Sequence, residues 1–259
     1  MGTAGAAESR QGRAPKRRSE KTPFFRIVAG IVIPPMAAIV KLELIDGHNL
    51  PKSGAVVVSP NHINELDPVL IGYAMWKLGR PPHFLAKASL FAIPVLGWAL
   101  RKIGQVPVER SGSVRGNDPL TASRKLSDEG LAVVVYPEGS LTRQPDLWPM
   151  RGKFGAVRLA IDNGLPLVPV AHWGDHKVMQ PYGKKISLFP RKTVQIKFGA
   201  PIDLSAYAGR PLDSAALTAA TTSVMLAITA LLADLRDEPP PERLWDPAEH
   251  NQTETGHFD

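Results

Sequence analysis

The run Leu131-Ala132-Val133-Val134-Val135-Tyr136 has no polar position facing either side. Side chains on a strand alternate between its two faces, so a strand apolar throughout has to be covered on both. Such a strand is buried on both faces of its sheet. Further strand-like runs fall at 41–46, 55–59, 83–86, 105–109, 166–171 and 193–199. Helix-like stretches fall at 68–79, 89–102, 117–129, 152–163 and 213–236. This alternation predicts one α/β domain over 41–236, with a central, largely parallel or mixed sheet flanked by helices. The polar and charged clusters of the chain sit at or just past the ends of the strand-like runs, where open α/β sheets gather ligands.

The two ends read differently from this body. Residues 1–22 carry no apolar periodicity, and 237–259 contain Pro239-Pro240-Pro241 followed by polar and acidic residues; both are expected to be disordered tails. The net charge of +7 divides into about +4 on residues 1–21, −6 on 237–259 and +9 between them. A basic body suits acidic partners such as phospholipid headgroups or phosphorylated substrates. No helix-turn-helix spacing or RNA-binding aromatic signature accompanies it, so nucleic acid is not expected as a partner. The chain has no cysteine, which excludes disulfides, thiolate metal sites and thiol nucleophiles.

Phe24 to Val40 is apolar apart from Arg26 and is broken by Pro34-Pro35. It is too short and too interrupted for a transmembrane span, and it lacks a signal-peptide cleavage pattern. Residues 23–40 are therefore expected to form a membrane-interfacial helical segment, preceded by Arg10, Arg13, Lys16, Arg17, Arg18 and Lys21. Each of these is worth about 1 kcal/mol against an anionic surface. The resulting expectation is a monotopic or peripheral protein on the cytoplasmic face of the cell membrane.

Ser59 to Pro68 reads SPNHINELDP and places His62 five residues before Asp67. On a regular helix such residues lie about 140° apart and cannot touch. Asp67-Pro68, however, is a good helix start, so 61–66 is expected to be a loop folded back over it. Asp67 would then cap the helix with one oxygen and hold a ring nitrogen of His62 with the other. The second ring nitrogen would be a general base. The plainer alternative makes Asp67 an N-cap and His62 a surface loop histidine. His62, Glu65 and Asp67 are close in sequence, but no second cluster completes a metal site, and none is expected.

Three further segments follow in order: Val106-Pro107-Val108-Glu109-Arg110, Tyr136-Pro137-Glu138-Gly139-Ser140 and Val168-Pro169-Val170, with Phe84-Leu85-Ala86-Lys87 between the first two of the four motifs. Together with Asn61-His62 to Asp67 they resemble the glycerolipid acyltransferase family over roughly residues 40–205, and most of all its bacterial 1-acylglycerol-3-phosphate acyltransferases. The resemblance implies a glycerol-3-phosphate acyltransferase-like fold. It also implies transfer of a fatty acyl group from acyl-CoA or acyl-carrier protein, as co-substrate, to lysophosphatidic acid, with no other cofactor. One position departs from the family pattern. Its third motif has Arg three residues after Glu, where this chain has Leu141, with Arg143 two residues later.

On this reading His62 removes the proton of an acceptor hydroxyl as its oxygen attacks the thioester, and Asp67 orients His62 and stabilises the imidazolium. No G-x-S-x-G elbow is present, which argues for direct transfer and against an esterase. Arg110, at a strand end beside Ser111-Gly112, would grip a phosphate with two hydrogen bonds. Glu138-Gly139, Lys87 and either Arg143 or Lys153 complete the expected phosphate site, Glu138 alternatively orienting an arginine. Ser89 to Leu100 is apolar all round and is expected to pack in the core or line an acyl-chain slot. His172 and Trp173 are expected to be structural. Two other functions stay open: acylation of another lysophospholipid or a glycolipid, and non-catalytic peripheral lipid binding.

Overall fold

A computed structural model describes residues 20–108, 129–209 and 211–253. Seven strands form one sheet: β1 (Val40–Ile45), β2 (Val56–Pro60), β3 (Pro82–Lys87), β4 (Val106–Val108), β5 (Ala132–Val134), β6 (Leu167–Trp173) and β7 (Lys192–Phe198), in the order β1-β7-β6-β2-β5-β3-β4. All neighbours are parallel except β6 and β7. Strands β2 to β6 therefore point one way, and β1 and β7 the other. The C-terminal ends of β2 to β6 and the starting ends of β1 and β7 share one edge of the sheet.

The apolar runs are covered on both faces, as continuous hydrophobicity demands. Val56, Val58, Ala132 and Val134 join one buried cluster with Leu70, Ile71, Ala74 and Met75 of α2 (Asp67–Lys77) and Met36 of α1 (Pro23–Ile39). Val57 and Val133 join the other, against Ala156, Val157 and Ala160 of α4 (Gly155–Asp162) and Leu217, Ala220, Val224 and Ile228 of α5 (Ser214–Arg236). Helix α3 spans Pro94–Lys102. By length and composition α5 is apolar enough to cross a membrane, but its apolar stripe is packed on the sheet.

Three expectations meet the structure differently. Residues 237–253, expected to be disordered, are ordered: Trp245 bridges Met150 and its carbonyl accepts from Arg151 N–H at 2.8 Å, and a 3-10 turn follows over Pro247–His250. Average polarity conceals a few long-range anchors that are enough to seat a segment. The stretch 89–100 is not core, since Val95 and Trp98 stand exposed and only Phe91 and Gly97 are buried. The helix-like stretch 117–129 falls, except for its last residue, outside the described residues.

Candidate active site

The loop after β2 crosses the end of the sheet, pinned on both sides. Asn61 continues the ladder through its N–H to the Val170 carbonyl, and its side chain exchanges hydrogen bonds with the backbone of His172 at 2.9 and 3.2 Å. His62 follows, 7% exposed, with Nδ1 2.9 Å from Asp67 Oδ2. The same oxygen accepts the N–H groups of Ile63 at 2.6 Å and Asn64 at 3.0 Å. Asp67 is thus the hub of the loop and not the expected N-cap. Its donors lie behind it in sequence, and it is the first residue of α2. A carboxylate receiving two backbone amides and an imidazole N–H holds the ring in the tautomer with its lone pair on Nε2. The Tyr136 ring stacks on His62 with centroids 4.1 Å apart.

Glu138 fastens this loop from the end of β5. Fully buried, it accepts the His62 N–H on Oε1 at 2.9 Å and the Met150 N–H on Oε2 at 3.0 Å. Burial pushes its carboxyl up to about 8, against the pull of these two amides and of the His172 charge. Expected as a phosphate-site residue, Glu138 instead clamps two backbone segments together. Both of its oxygens are turned onto backbone amides. Gly139 adopts φ +73, the left-handed region where a Cβ is strained, and a side chain there would meet Lys153 Cδ at 3.1 Å.

The two candidate cations of the third motif separate clearly. Arg143 is 3% exposed, and its Nη1 donates to Thr253 Oγ1 at 3.1 Å in the ordered C-terminal segment. Lys153 is exposed and lines a cavity of about 230 Å³ with Glu138, Met150, Arg151, Gly152, Phe154 and Pro247. Leu141, at the family's arginine position, is buried. Lys87 ends β3 and is exposed at the same sheet edge. Arg110 lies outside the described residues.

His172, expected to be structural, is packed directly behind Asp67. It is the next-to-last residue of β6 and fully buried, with Nε2 2.9 Å from the Asn61 carbonyl and Nδ1 3.1 Å from Asp175 Oδ1. Both ring nitrogens face acceptors, so only the doubly protonated ring donates to both. In agreement, Asp67 and Asp175 outweigh the effect of burial and raise its pKa to about 9. Burial holds Asp67 above its ordinary carboxylate range even though the His172 charge pulls it down, whereas at Asp175 the same charge outweighs burial and draws the carboxyl below its ordinary value. Asn64 Nδ2 donates to Asp175 Oδ2 at 2.6 Å and closes the network. The signal in the sequence was an H-x-x-D spacing at the end of an otherwise apolar strand. Among the described residues, Asp67, His172 and Asp175 also gather ligand atoms within 4.8 Å of one another. They suit a metal poorly, because a cation there would meet an imidazolium instead of a lone pair.

A family model described as Acyltransferase matches residues 41–173, which contain His62, Asp67, Glu138 and His172. Among similar proteins, the 1-acyl-sn-glycerol-3-phosphate acyltransferase BAT2, chloroplastic, of Brassica napus is 35% identical over 132 residues, 51% of this chain and 37% of that protein. The 1-acyl-sn-glycerol-3-phosphate acyltransferase of Bacillus subtilis is 30% identical over 170 residues, 66% of this chain and 78% of that protein. The chain thus spans well under half the length of the plant relative. The crystal structure of the 1-acyl-sn-glycerophosphate acyltransferase PlsC from Thermotoga maritima superposes with a TM-score of 0.59 at 21% identity, covering 83% of this chain and 81% of that one, a likeness of fold.

Proposed function

Because the chain belongs to the acyltransferase family, we propose that it moves a fatty acyl group from acyl-CoA or acyl-carrier protein to the free hydroxyl of 1-acylglycerol 3-phosphate, giving phosphatidic acid. The observation that carries this reading is the buried pair His62 Nδ1 to Asp67 Oδ2 at 2.9 Å. With Nδ1–H given to Asp67, Nε2 takes the proton of the acceptor hydroxyl as its oxygen attacks the thioester carbonyl. The tetrahedral intermediate then collapses, the C–S bond breaks, and the leaving thiolate recovers the proton from the His62 imidazolium. No acyl-enzyme is formed. Lys153, Lys87 and Arg110 are assigned to the phosphate, and the left-handed turn at Gly139, beside the Lys153 side chain, would let backbone approach it.

The acceptor and product are membrane lipids, and the reading includes a membrane-bound location at the cytoplasmic face. The outward face of α1 supports it: Ile27, Gly30, Ile31, Pro34, Pro35 and Ala38 are exposed and apolar, spaced along the solvent side of the helix. Leu141 in place of the family's arginine favours a second reading in which another lysolipid headgroup is the acceptor.

The test is release of free CoA from palmitoyl-CoA with and without lysophosphatidic acid, using wild type and His62→Ala in parallel, followed by a panel of lysolipids. Acceptor-dependent release that falls by about three orders of magnitude or more in the folded variant is expected. Absence of release with every acceptor and either donor type would leave non-catalytic lipid binding as the function.

A further inference from the structure

Residues 184–192 read Lys-Lys-Ile-Ser-Leu-Phe-Pro-Arg-Lys, three large apolar side chains bracketed by four cations with no acidic residue. Eight consecutive residues of this loop, 184–191, are exposed, and Phe189 is 78% exposed. Surface loops of water-soluble folds place polar groups at such positions, so exposed Ile186, Leu188 and Phe189 need a partner. The base of the loop is held in place. Met179 bridges Ile186, Ser187 N–H donates to the Val178 carbonyl at 2.7 Å, and Arg191 Nη2 donates to the Val40 carbonyl at 3.1 Å.

The topology gives the position of this protrusion meaning. The loop feeds β7, whose start lies at the same sheet edge as the ends of β2 and β6, where His62 and His172 sit. Asn64 Nδ2, which holds Asp175, also donates to the Met179 carbonyl at 3.1 Å, so loop base and site share one hydrogen-bonded segment. Arg191 meets the chain where α1 passes into β1. The loop is therefore at the active edge and next to the exit of the apolar helix, but on a separate part of the chain.

We propose that residues 184–192 form a second membrane contact, inserting Ile186, Leu188 and Phe189 among acyl chains and setting Lys184, Lys185, Arg191 and Lys192 against anionic headgroups. The charge pattern selects this occupant, since cations flanking an apolar tip match the layered chemistry of an anionic bilayer. The purpose of the contact, presenting the site edge to a membrane-borne acceptor, rests on the acyltransferase reading above. The contact itself does not.

The chain contains no cysteine, so Ser187→Cys accepts an environment-sensitive dye at one place in the full-length protein. With vesicles of phosphatidylglycerol and phosphatidylcholine the dye emission is expected to shift to the blue and brighten, with a weaker response to phosphatidylcholine alone. Leu188→Ser/Phe189→Ser should weaken vesicle partitioning by about tenfold. It should slow acylation of a vesicle-borne acceptor while leaving turnover of a short-chain monomeric acceptor within about twofold. An unchanged spectrum while the protein sediments with anionic vesicles overturns the proposal. A shift that depends on protein concentration without vesicles also overturns it, in favour of a second copy of the chain. If wild type acylates nothing, the enzymatic reading fails and the dye measurement still decides the contact.

Discussion

His172 Nε2 lies 3.5 Å from Asp67 Oδ2, the oxygen that also holds His62. A buried imidazolium thus stands behind the dyad, shared between Asp67 and Asp175. Two carboxylates packed that closely without a cation would bind a proton, and a protonated Asp67 would no longer orient His62.

We predict from this that His172→Gln lowers kcat about tenfold or more while KM for both substrates stays within about twofold, because the residue is fully buried behind Asp67. The groups facing His172 are Asp67 from α2, Asp175 and His176 from the turn after β6, and Glu138 from the turn after β5. Loss of the positive charge raises the pH at which Asp67 ionises, so the acidic limb of the kcat/KM profile moves up. A variant with lower kcat and an unshifted profile would mark His172 as structural alone.

The same group makes stability depend on pH. Its proton affinity rises from the ordinary 6.5 to about 9 on folding. The native state therefore holds a proton that the unfolded chain releases between these values. That contribution is whole below about 6.5, fades as pH rises through about 9, and is on the order of 3 kcal/mol at most. Glu138, raised to about 8, acts in the same direction at lower pH. Chemical denaturation of wild type between pH 6.5 and 9.5 should show the loss, and His172→Gln should flatten it. A wild-type midpoint constant across that range would contradict the assignment.

For Glu138→Gln we predict both lower stability and lower activity. An amide supplies one acceptor oxygen where the carboxylate supplies two, so either His62 N–H or Met150 N–H is left facing an NH2 group. An unmet buried amide costs about 1–3 kcal/mol. Thermal melts and kcat measured on one preparation check both consequences, and unchanged values for the two together would rule the clamp out.

Arg143 and Lys153 should respond oppositely to truncation. Lys153→Ala, at an exposed position on the cavity wall, is expected to raise KM for a phosphorylated acceptor about tenfold with little change in melting temperature. Arg143→Ala, buried and tied to Thr253, is expected to lower the melting temperature by several degrees, corresponding to about 1–3 kcal/mol. A reversal of these two signatures would return the phosphate to Arg143.

Much of this molecule was visible in local pattern. The unbroken apolar run Leu131 to Tyr136 was legible as a strand covered on both faces, and every strand-like run became a strand within about two residues. The short-range pair His62 and Asp67 was legible because Pro68 marks where the helix begins and forces the loop between them. What stayed hidden depended on residues distant in the chain arriving at one edge. Asn61 meets His172 across 111 positions and Glu138 meets His62 across 76, separations at which one sequence carries no pairing signal. The different surroundings of Arg143 and Lys153 were likewise hidden, because Thr253 reaches Arg143 from 110 positions away. Hydrophobic periodicity is a property of neighbours, and it specifies which faces must be buried. The partners of a buried charge are set by strand order and direction, and these placed His172 behind Asp67 and the 184–192 loop beside the site.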